Sequence, residues 1–455
     1  MEIRNRTELL AGDESTLRAD AVEIVERALV AVAPERPLAD VVTRDGDTVT
    51  IDGQRYDLGS IENVFVVGVG KGSGALSSAV LRRLDRVTEA IIVEKDASTV
   101  DPAALDRFGD AVTVLEAGHP VPTAASQRAA ERVLDLADSA GPNDLVVCCI
   151  TGGASALLSA PDGIDPEAVA RVTDALLSAG APIEDLNAVR THLSEIKGGR
   201  LAERLAPATV VSLIVVDEVA GEPWGPTVLD ETTYKDAVEV LRKRSLWDAA
   251  PKSIRAHLKG GLHGVVTETP GPTDIQAARG QTVVLAGATD LCDAAMTEAE
   301  QLGFNATVLS SVLEGESRTV GTVLAAVARE IAERDRPIET PCVVISGGET
   351  TVTVEDEAGR GGPNQELALQ FAIQTAERDD LALMAIGTDG TDGPPDIAGG
   401  LVDGTTAGRA LERNISLFDH VHHHDSSPAL EELGDAVRTG TTGTNVMDLR
   451  LLLIE

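Results

Sequence analysis

The sequence predicts an α/β protein with a Rossmann-like, mostly parallel sheet. Short apolar runs at residues 64–69, 144–150 and 342–345 are rich in β-branched residues, which is typical of buried strands. Each run ends in glycines, and the first two lead into stretches of helix-forming composition. Repeated units of strand, glycine turn and helix favour parallel strands, and ligands of such folds bind at the carboxyl ends of the strands.

The same criteria predict the remaining elements. Helices are expected where apolar residues recur at helical spacing, at residues 8–32, 75–84, 124–138, 232–250, 290–302 and 318–334, with a further helical region over 187–200. Other strands are expected at residues 90–93, 112–115, 209–216, 282–286, 306–309, 381–386 and 449–454. Two Asp-Gly pairs between β-rich runs predict a hairpin within residues 40–56.

The chain is long enough for two or three domains. Residues 260–281 are rich in glycine and proline, and the strand–helix pattern restarts after them. We therefore predict an N-terminal domain over residues 1–262 and a smaller C-terminal domain over residues 282–455.

The composition is strongly acidic. Among 455 residues there are 74 acidic and 38 basic side chains, giving a formal net charge of −36. This excess predicts a protein of a salt-rich cytoplasm, where screening makes the repulsion tolerable. It argues against nucleic acid and anionic membranes as partners. The polar N-terminus and the lack of a long apolar run also favour a cytoplasmic location without a membrane anchor.

Lys71 is the first candidate for catalysis, because it stands among glycines between a predicted strand and a predicted helix. Glycines and a helix N-terminus let a phosphate approach backbone N–H groups, and a lysine adds positive charge. The stretch is not a P-loop. Gly68 and Gly70 fit a dinucleotide fingerprint whose third position is Ser73, and Glu94 stands where such folds place a ribose-binding carboxylate. An alternative is a tight turn with an incidental lysine.

An acidic, glycine-rich loop follows the predicted strand 381–386. It carries Asp389, Asp392 and Asp396. Carboxylates at a strand end suit Mg²⁺ or its bound water, so we predict that Asp389 and Asp392 contact the metal. The alternative is a calcium-like or merely solvated acidic turn, as expected in so acidic a protein.

Polar residues after other strands are candidates for substrate binding. His119 lies between a glycine and a proline and could donate a hydrogen bond to substrate or satisfy a turn. Ser155 follows a Gly-Gly pair, but the spacing does not fit a nucleophile elbow. On a helix over 187–200, Asn187 and Arg190 would share one face with Ser194, and Arg190 would share one face with Lys197.

A lysine among glycines and a loop of carboxylates are parts that phosphoryl transfer needs. That chemistry also needs backbone N–H groups around the phosphates that are not transferred. Candidates come from a second strand-end Gly-Gly loop, the start of the next helix and a late Thr/Gly/Asn loop. These nucleotide-binding candidates, in addition to Gly68 and Gly70, are Gly347, Gly348, Glu349, Asn364, Thr444 and Asn445.

Taken together, these motifs resemble the glycerate 2-kinase family. The matching pieces stand in the family's order at residues 68–71, 116–122, 151–157, 187–200, 346–349, 361–366, 387–393 and 441–448. They span nearly the whole chain. Members of this family are often labelled hydroxypyruvate reductase.

The resemblance implies two three-layer α/β/α domains, the smaller one with a mixed sheet, and an active site in the cleft between them. It implies ATP- and Mg²⁺-dependent transfer of phosphate to D-glycerate, giving 2-phosphoglycerate. The family's catalytic lysine falls on Lys71. No oligomeric state is predicted.

The chain departs from the family at the catalytic arginine, where it has Pro363. Arg360, in the same glycine loop, is the candidate replacement, and Arg190, Arg200 or Lys197 are alternatives. Two other functions stay open: a nicotinamide-dependent hydroxypyruvate reductase, and a sensor of sugar acids or nucleotides without catalysis.

Overall fold

The computed structural model describes residues 2–11, 16–119, 121–216, 224–271, 279–354, 359–393 and 396–455. The chain forms two compact units. The central unit comprises Val41–Ile214 and Pro223–Val284. The terminal unit comprises Met1–Asp40, Val215–Glu222 and Leu285–Glu455.

The strands are numbered in chain order. They are β1 (Val42–Asp45), β2 (Thr48–Ile51), β3 (Gln54–Asp57), β4 (Val64–Val69), β5 (Glu89–Glu94), β6 (Val112–Glu116), β7 (Leu145–Ile150), β8 (Thr209–Val215), β9 (Arg279–Ala286), β10 (Asn305–Ser310), β11 (Gly315–Glu316), β12 (Cys342–Gly348), β13 (Thr350–Thr351), β14 (Leu381–Gly387), β15 (Gly399–Asp403), β16 (Ala436–Val437) and β17 (Asp448–Ile454).

The α-helices are numbered in the same way. They are α1 (Arg6–Leu9), α2 (Leu17–Val32), α3 (Glu35–Val41), α4 (Ser73–Arg83), α5 (Pro102–Phe108), α6 (Ala124–Ser139), α7 (Ala154–Leu157), α8 (Pro166–Ser178), α9 (Ile183–Thr191), α10 (Arg200–Leu205), α11 (Tyr234–Lys243), α12 (Lys252–Leu262), α13 (Ala288–Gln301), α14 (Ser317–Arg334), α15 (Pro363–Gln374), α16 (Thr406–Glu412), α17 (Leu417–His422) and α18 (Ser426–Leu433).

The central unit is built on a six-stranded sheet with the order β6-β5-β4-β7-β8-β9. The pairs β5–β6, β4–β5, β4–β7 and β7–β8 are all parallel. Every residue of β4 and β7 is buried, as expected for apolar runs in a sheet covered on both faces. Because β4 and β7 are neighbours, the loops that follow them meet at one edge. The prediction of a mostly parallel sheet is confirmed.

The predicted hairpin is a three-stranded antiparallel sheet, β1-β2-β3. Its second turn contains Asp52 and Gly53, both with positive φ. An Asp-Gly pair tolerates this backbone shape in a tight hairpin, which is why the sequence signal succeeded.

The terminal unit contains a mixed six-stranded sheet with the order β10-β12-β17-β14-β15-β16. Among the strand pairs that the described residues form in this sheet, β10–β12 is parallel and the others are antiparallel, including β17 with both β12 and β14. Side chains of α14 and α15, including Leu324 and Phe371, form one core with Leu383 and Leu452 of the sheet. The prediction of a mixed sheet is confirmed.

The predicted division at residues 262 and 282 places residues 1–40 in the N-terminal domain, but in the structure they pack with the C-terminal residues. Residues 1–40 belong to the terminal unit. The buried Arg18 of α2 donates hydrogen bonds to Asp403 (2.6 Å) and Asp435 (2.8 Å), both in that unit. A buried arginine needs such carboxylates, and no sequence signal links positions nearly 400 residues apart.

Two predicted helices are shorter than expected. The helix over 232–250 is α11, which ends at Lys243, and Ser245 follows with positive φ. The helical region over 187–200 contains α9, which ends at Thr191. The four cysteines are buried and form no disulfide.

Candidate functional site

Lys71 lies in the turn between β4 and α4, as predicted. Its N–H donates to the carbonyl oxygen of Gly152 (2.6 Å), and its own carbonyl accepts a hydrogen bond from Thr151 Oγ1 (3.0 Å). Gly70 has φ 126° and packs so closely that any side chain there would collide with the Thr151 carbonyl. The backbone of Lys71 is therefore fixed on the loop that follows β7.

Two predicted side chains border that loop at Gly153. A Cβ atom placed on Gly153 would lie 2.8 Å from His119 Cδ2 and 3.3 Å from Lys71 Cγ. His119 and Lys71 therefore approach the same few atoms of backbone, although 48 positions of sequence separate them. Gly153 has φ 81°, so glycine is favoured there on conformational grounds as well.

Lys197 reaches the same loop from another direction. Its Nζ donates to the carbonyl oxygens of Ser155 (2.7 Å) and Leu158 (3.2 Å). Burial lowers the pKa of Lys197 well below its usual range, and the charge of nearby Arg190 lowers it further. Burial also lowers the pKa of the Arg190 guanidinium. Within the described residues, neither cation forms an ion pair with a carboxylate.

The expected helix over 187–200 is wrong beyond Thr191, so neither Ser194 nor Lys197 shares a helical face with Arg190. Asn187 and Arg190 both lie on α9, three residues apart. Lys197 lies beyond the end of that helix, in a segment where Gly198 and Gly199 have positive φ. The chain leaves the helix after Thr191, so Lys197 comes near Arg190 through a loop and not along one helix.

The N-terminus of α4 does not offer the free N–H groups that we predicted for a phosphate. The Glu94 carboxylate accepts hydrogen bonds from the N–H groups of Gly72 (3.0 Å), Gly74 (2.9 Å) and Lys95 (3.0 Å). Thr99 Oγ1 donates a further bond at 3.2 Å. Glu94 is 1% exposed, and burial raises its pKa although these donors oppose the shift. A carboxylate from the protein itself occupies the helix end.

The structure does not support the ribose-binding role that the dinucleotide fingerprint gives to Glu94. Glu94 accepts a hydrogen bond from the start of α4 and is buried, so a ribose could not reach it. Gly68 is buried, and a side chain there would collide with Ser77 of α4. Gly68 and Gly70 allow close packing of strand, turn and helix. Their contact with a nucleotide stays a prediction, and Glu94 no longer supports it.

In the terminal unit, Asp392 caps α15. Its Oδ1 accepts from the backbone N–H (3.0 Å) and side-chain Nδ2 (3.1 Å) of Asn364, and Oδ2 from the N–H (2.9 Å) and Nε2 (3.1 Å) of Gln365. Four donors fill the lone pairs of a carboxylate. Burial raises the pKa of Asp392 to about 6, and the charge of Asp448 adds to the shift. The prediction that Asp392 contacts a metal therefore disagrees with its geometry.

Asp389 is less enclosed. Its Oδ1 accepts hydrogen bonds from the N–H (2.9 Å) and hydroxyl (2.8 Å) of Thr391, two residues along the chain. No group of three or more possible metal-binding side chains occurs in the described part of the chain, and the predicted metal contact of Asp389 stays a prediction.

The other nucleotide-binding candidates also lie in the terminal unit. Gly347 and Gly348 are the last residues of β12, and Gly348 has φ 110° against the backbone of Leu313. Glu349 is exposed, and Asn364 is the second residue of α15. The buried Thr444 and Asn445 stand just before β17. Their predicted contacts with a nucleotide remain untested.

Arg360 lies at the surface of the terminal unit. Its guanidinium pairs with Glu431, and its N–H donates to Asp425 Oδ1 (2.8 Å). Its side chain is 53% exposed. The predicted role as the replacement for the family arginine stays a prediction.

Sequence reasoning missed the structural roles of three residues that organise these sites. Thr151 and Glu94 hold the Lys71 turn. Arg450 is fully buried and bonds Asp448 Oδ2 (2.6 Å) and Thr350 Oγ1 (3.0 Å). A signal existed for the last of these, since Arg450 is a lone charge in an apolar strand and must find a partner.

The fold and the cations beside the loop after β7 define an α/β protein suited to a small anionic ligand. Among the described residues, no helix is long and apolar enough to cross a bilayer. Residues 20–259 match the domain described as "Domain of unknown function (DUF4147)", and residues 342–448 match the MOFRL family.

Relatives match along nearly the whole chain. It is 36% identical to a glycerate 2-kinase of Pyrococcus horikoshii over 96% of this chain and 97% of that one. It is 35% identical to a D-glycerate 2-kinase of Thermotoga maritima, covering 97% and 99%. A protein of Agrobacterium vitis with the provisional name hydroxypyruvate reductase is 37% identical over 86% of both chains. A crystal structure of glycerate kinase from Thermotoga maritima is 34% identical and superposes with a TM-score of 0.80, covering 97% of this chain and 100% of that one. The chain belongs to the glycerate 2-kinase family.

Proposed function

We propose that this protein transfers the γ-phosphoryl group of ATP to the 2-hydroxyl of D-glycerate. The observation that carries the proposal is that Lys71 and Lys197 both lie against residues 152–158, with the charge of Arg190 close to Lys197. In a chain with a net charge of −36, two cations without carboxylate partners among the described residues are a site for an anionic ligand. Relatives named glycerate 2-kinase supply the identity of that anion.

The chemistry assigns a role to each cation. The glycerate 2-hydroxyl oxygen forms a bond to the γ-phosphorus, the bond from that phosphorus to the β–γ bridging oxygen breaks, and ADP leaves while the hydroxyl proton is released. Charge spreads over the equatorial oxygens of the transferring group, and Lys71 stabilises it. Arg190 and Lys197 bind the glycerate carboxylate, because a guanidinium and an ammonium both donate charged hydrogen bonds.

His119 and Asn187 complete the proposed glycerate site as hydrogen-bond partners of its hydroxyls. Ser155 has a different proposed part, because its carbonyl holds Lys197 in place. Mg²⁺ typically keeps several waters and uses one or two carboxylates with the substrate phosphates. Asp389 fits that modest requirement, and the ion supplies charge neutralisation of the phosphates.

Gly347, Gly348, Glu349, Asn364, Thr444 and Asn445 form the proposed nucleotide-binding set. The proposed setting is a salt-rich cytoplasm, and support for it comes from the acidic composition alone. No nucleic acid or membrane takes part in the proposed reaction.

One coupled assay in molar KCl tests the proposal against its alternatives. We expect ADP to form only when D-glycerate, ATP and Mg²⁺ are all present, and the product to be 2-phosphoglycerate. Oxidation of NADH or NADPH by hydroxypyruvate, without ADP formation, would instead support the reductase. Binding of glycerate without either turnover would support a sensor. The carboxylate at the start of α4 weighs against a dinucleotide there.

A further inference from the structure

Glu94 takes the place that a phosphate occupies in many glycine-rich turns. Its carboxylate lies at the N-terminus of α4, an eleven-residue helix, where the N–H groups and the helix dipole favour negative charge. The position is thus already neutralised by the protein. A ligand phosphate would have to displace a buried side chain that is held by several donors.

The same carboxylate is bonded to the turn that presents Lys71. Gly72, the next residue after Lys71, donates its N–H to Glu94 Oε2 at 3.0 Å. On the other side, the N–H of Lys71 is bonded to Gly152. The peptide planes on the two sides of Lys71 are therefore held by two neighbours: Glu94 at the end of β5, and Gly152 in the loop after β7.

We infer that Glu94 is a positioning residue: it acts as a built-in anion that seals the start of α4 and sets the direction in which Lys71 enters the active site. The inference rests on the proposed function. It adds that phosphate binds through the Lys71 side chain and not through the α4 N–H groups. Glu94 itself does not touch substrate.

Misplacing Lys71 should affect kcat and KM differently, because of the step in which Lys71 acts. A lysine that stabilises charge on the transferring group matters most in the transition state, so misplacing it lowers kcat more than it raises KM. Displacement of a reacting group by about 1 Å can cost ~10²-fold in rate. If the carboxylate had a purely structural role, its removal would lower stability and would not lower kcat more than it raises KM.

The experiment compares Glu94→Ala with Glu94→Gln. Alanine leaves a cavity at the start of α4, and formate has the charge and size to refill it. Potassium formate replaces part of the KCl at constant ionic strength. We expect the alanine variant to lose ~10²-fold in kcat with KM for glycerate within ~2-fold of the wild-type value, and formate to restore kcat by at least ~5-fold with saturation. Glutamine fills the cavity but turns an NH₂ group toward backbone donors, so its loss of kcat should not respond to formate.

A matched control is available in the same unit. Asp144 is also a buried carboxylate that accepts backbone N–H groups, from Asn63 (2.9 Å) and Gly141 (2.7 Å). It stands at the amino end of β7, at the opposite edge of the sheet. Asp144→Ala should lower the midpoint temperature while kcat stays within ~2-fold of the wild type, and formate should not alter that kcat.

The inference fails if Glu94→Ala keeps kcat within ~2-fold of the wild-type value. It also fails if formate raises the midpoint temperature of that variant without raising kcat, because Glu94 would then be structural only. These outcomes differ from failure of the proposed function, in which the wild-type protein itself forms no ADP with glycerate.

Discussion

Thr151 Oγ1 donates a 3.0 Å hydrogen bond to the carbonyl oxygen of Lys71. The bond joins the loops after β4 and β7, and it does so at the residue proposed to stabilise the transferring phosphoryl group. Thr151 is 1% exposed, so water cannot replace it. The backbone of the proposed catalytic lysine is thus held by a hydroxyl 80 positions away in the sequence.

The first prediction concerns that hydroxyl. Thr151→Val keeps the shape of the side chain and removes the donor, which leaves the Lys71 carbonyl without its partner. We expect kcat to fall ~10-fold with little change in KM for glycerate, measured by coupled ADP formation. Thr151→Ser retains the hydroxyl and should stay within ~3-fold of the wild type. Equal activity of the valine and serine variants would show that the bond has no part in catalysis.

Lys71→Met should lower turnover by at least ~10²-fold, equivalent to about 2.7 kcal/mol of activation free energy, because the transferring group loses its cation. The thermal midpoint should change little, since the backbone bonds of Lys71 remain. Lys252→Met, at an exposed lysine of α12, controls for the lost charge. Turnover near the wild-type rate in Lys71→Met would remove this residue from the mechanism.

The third prediction concerns the pH dependence of stability. The folded-state pKa of Asp392, about 6, lies above the usual 3.8. A raised carboxyl pKa contributes stability that is complete below pH 3.8 and is lost as pH rises through 6. Relative to Asp392→Asn, the wild-type free energy of unfolding should therefore fall by ~1.4 kcal/mol between pH 5 and pH 7. Urea unfolding in molar KCl measures it, and parallel pH curves for the two proteins would contradict the prediction.

The fold should also need salt. With a net charge of −36, dilution of salt lengthens the Debye length from ~3 Å at 1 M to ~10 Å at 0.1 M and restores repulsion between carboxylates. We expect the midpoint temperature in calorimetry to fall over that range of KCl. A sucrose series at low salt controls for solvent exclusion. A flat or rising midpoint on dilution would refute the interpretation of the acidic surface.

The last prediction concerns Arg360. If it replaces the family arginine, Arg360→Ala should lower kcat by at least ~10-fold, and Pro363→Arg in the same chain should restore part of the loss, because a cation on the equatorial oxygens is regained. Arg413→Ala, at another exposed arginine of the terminal unit, is the matched control. Unchanged turnover in Arg360→Ala would leave its pairing with Glu431 as a surface contact and direct attention to Arg190 or Lys197.

Much of the architecture follows from local sequence. The apolar runs of β4, β7, β12 and β14 were predicted as strands because burial on both faces needs uninterrupted apolar residues, and the six-residue runs of β4 and β7 are buried throughout. The position of Lys71 between strand and helix was predicted for a similar reason. A glycine turn between two periodic segments is a local signal, and it needs no knowledge of distant contacts.

Other features were decided only by tertiary structure. Glu94 could be placed at the end of a strand, but not on the N–H groups of Gly72 and Gly74, because that contact requires β4 and β5 to be neighbours. The sequence predicts a metal contact for Asp392, and only the fold shows that backbone N–H groups at the start of α15 bind both of its oxygens.

The sequence by itself determined the α/β class, the parallel central sheet and the strand-end location of Lys71. The tertiary structure decided which carboxylates are held by backbone donors, which cations remain beside the loop after β7, and that Arg18 ties the N-terminal helices to Asp435. The physical reason is the distance along the chain over which each effect acts. Periodicity and turn chemistry act over a few residues, whereas the partner of a buried charge is chosen by the fold from anywhere along the chain.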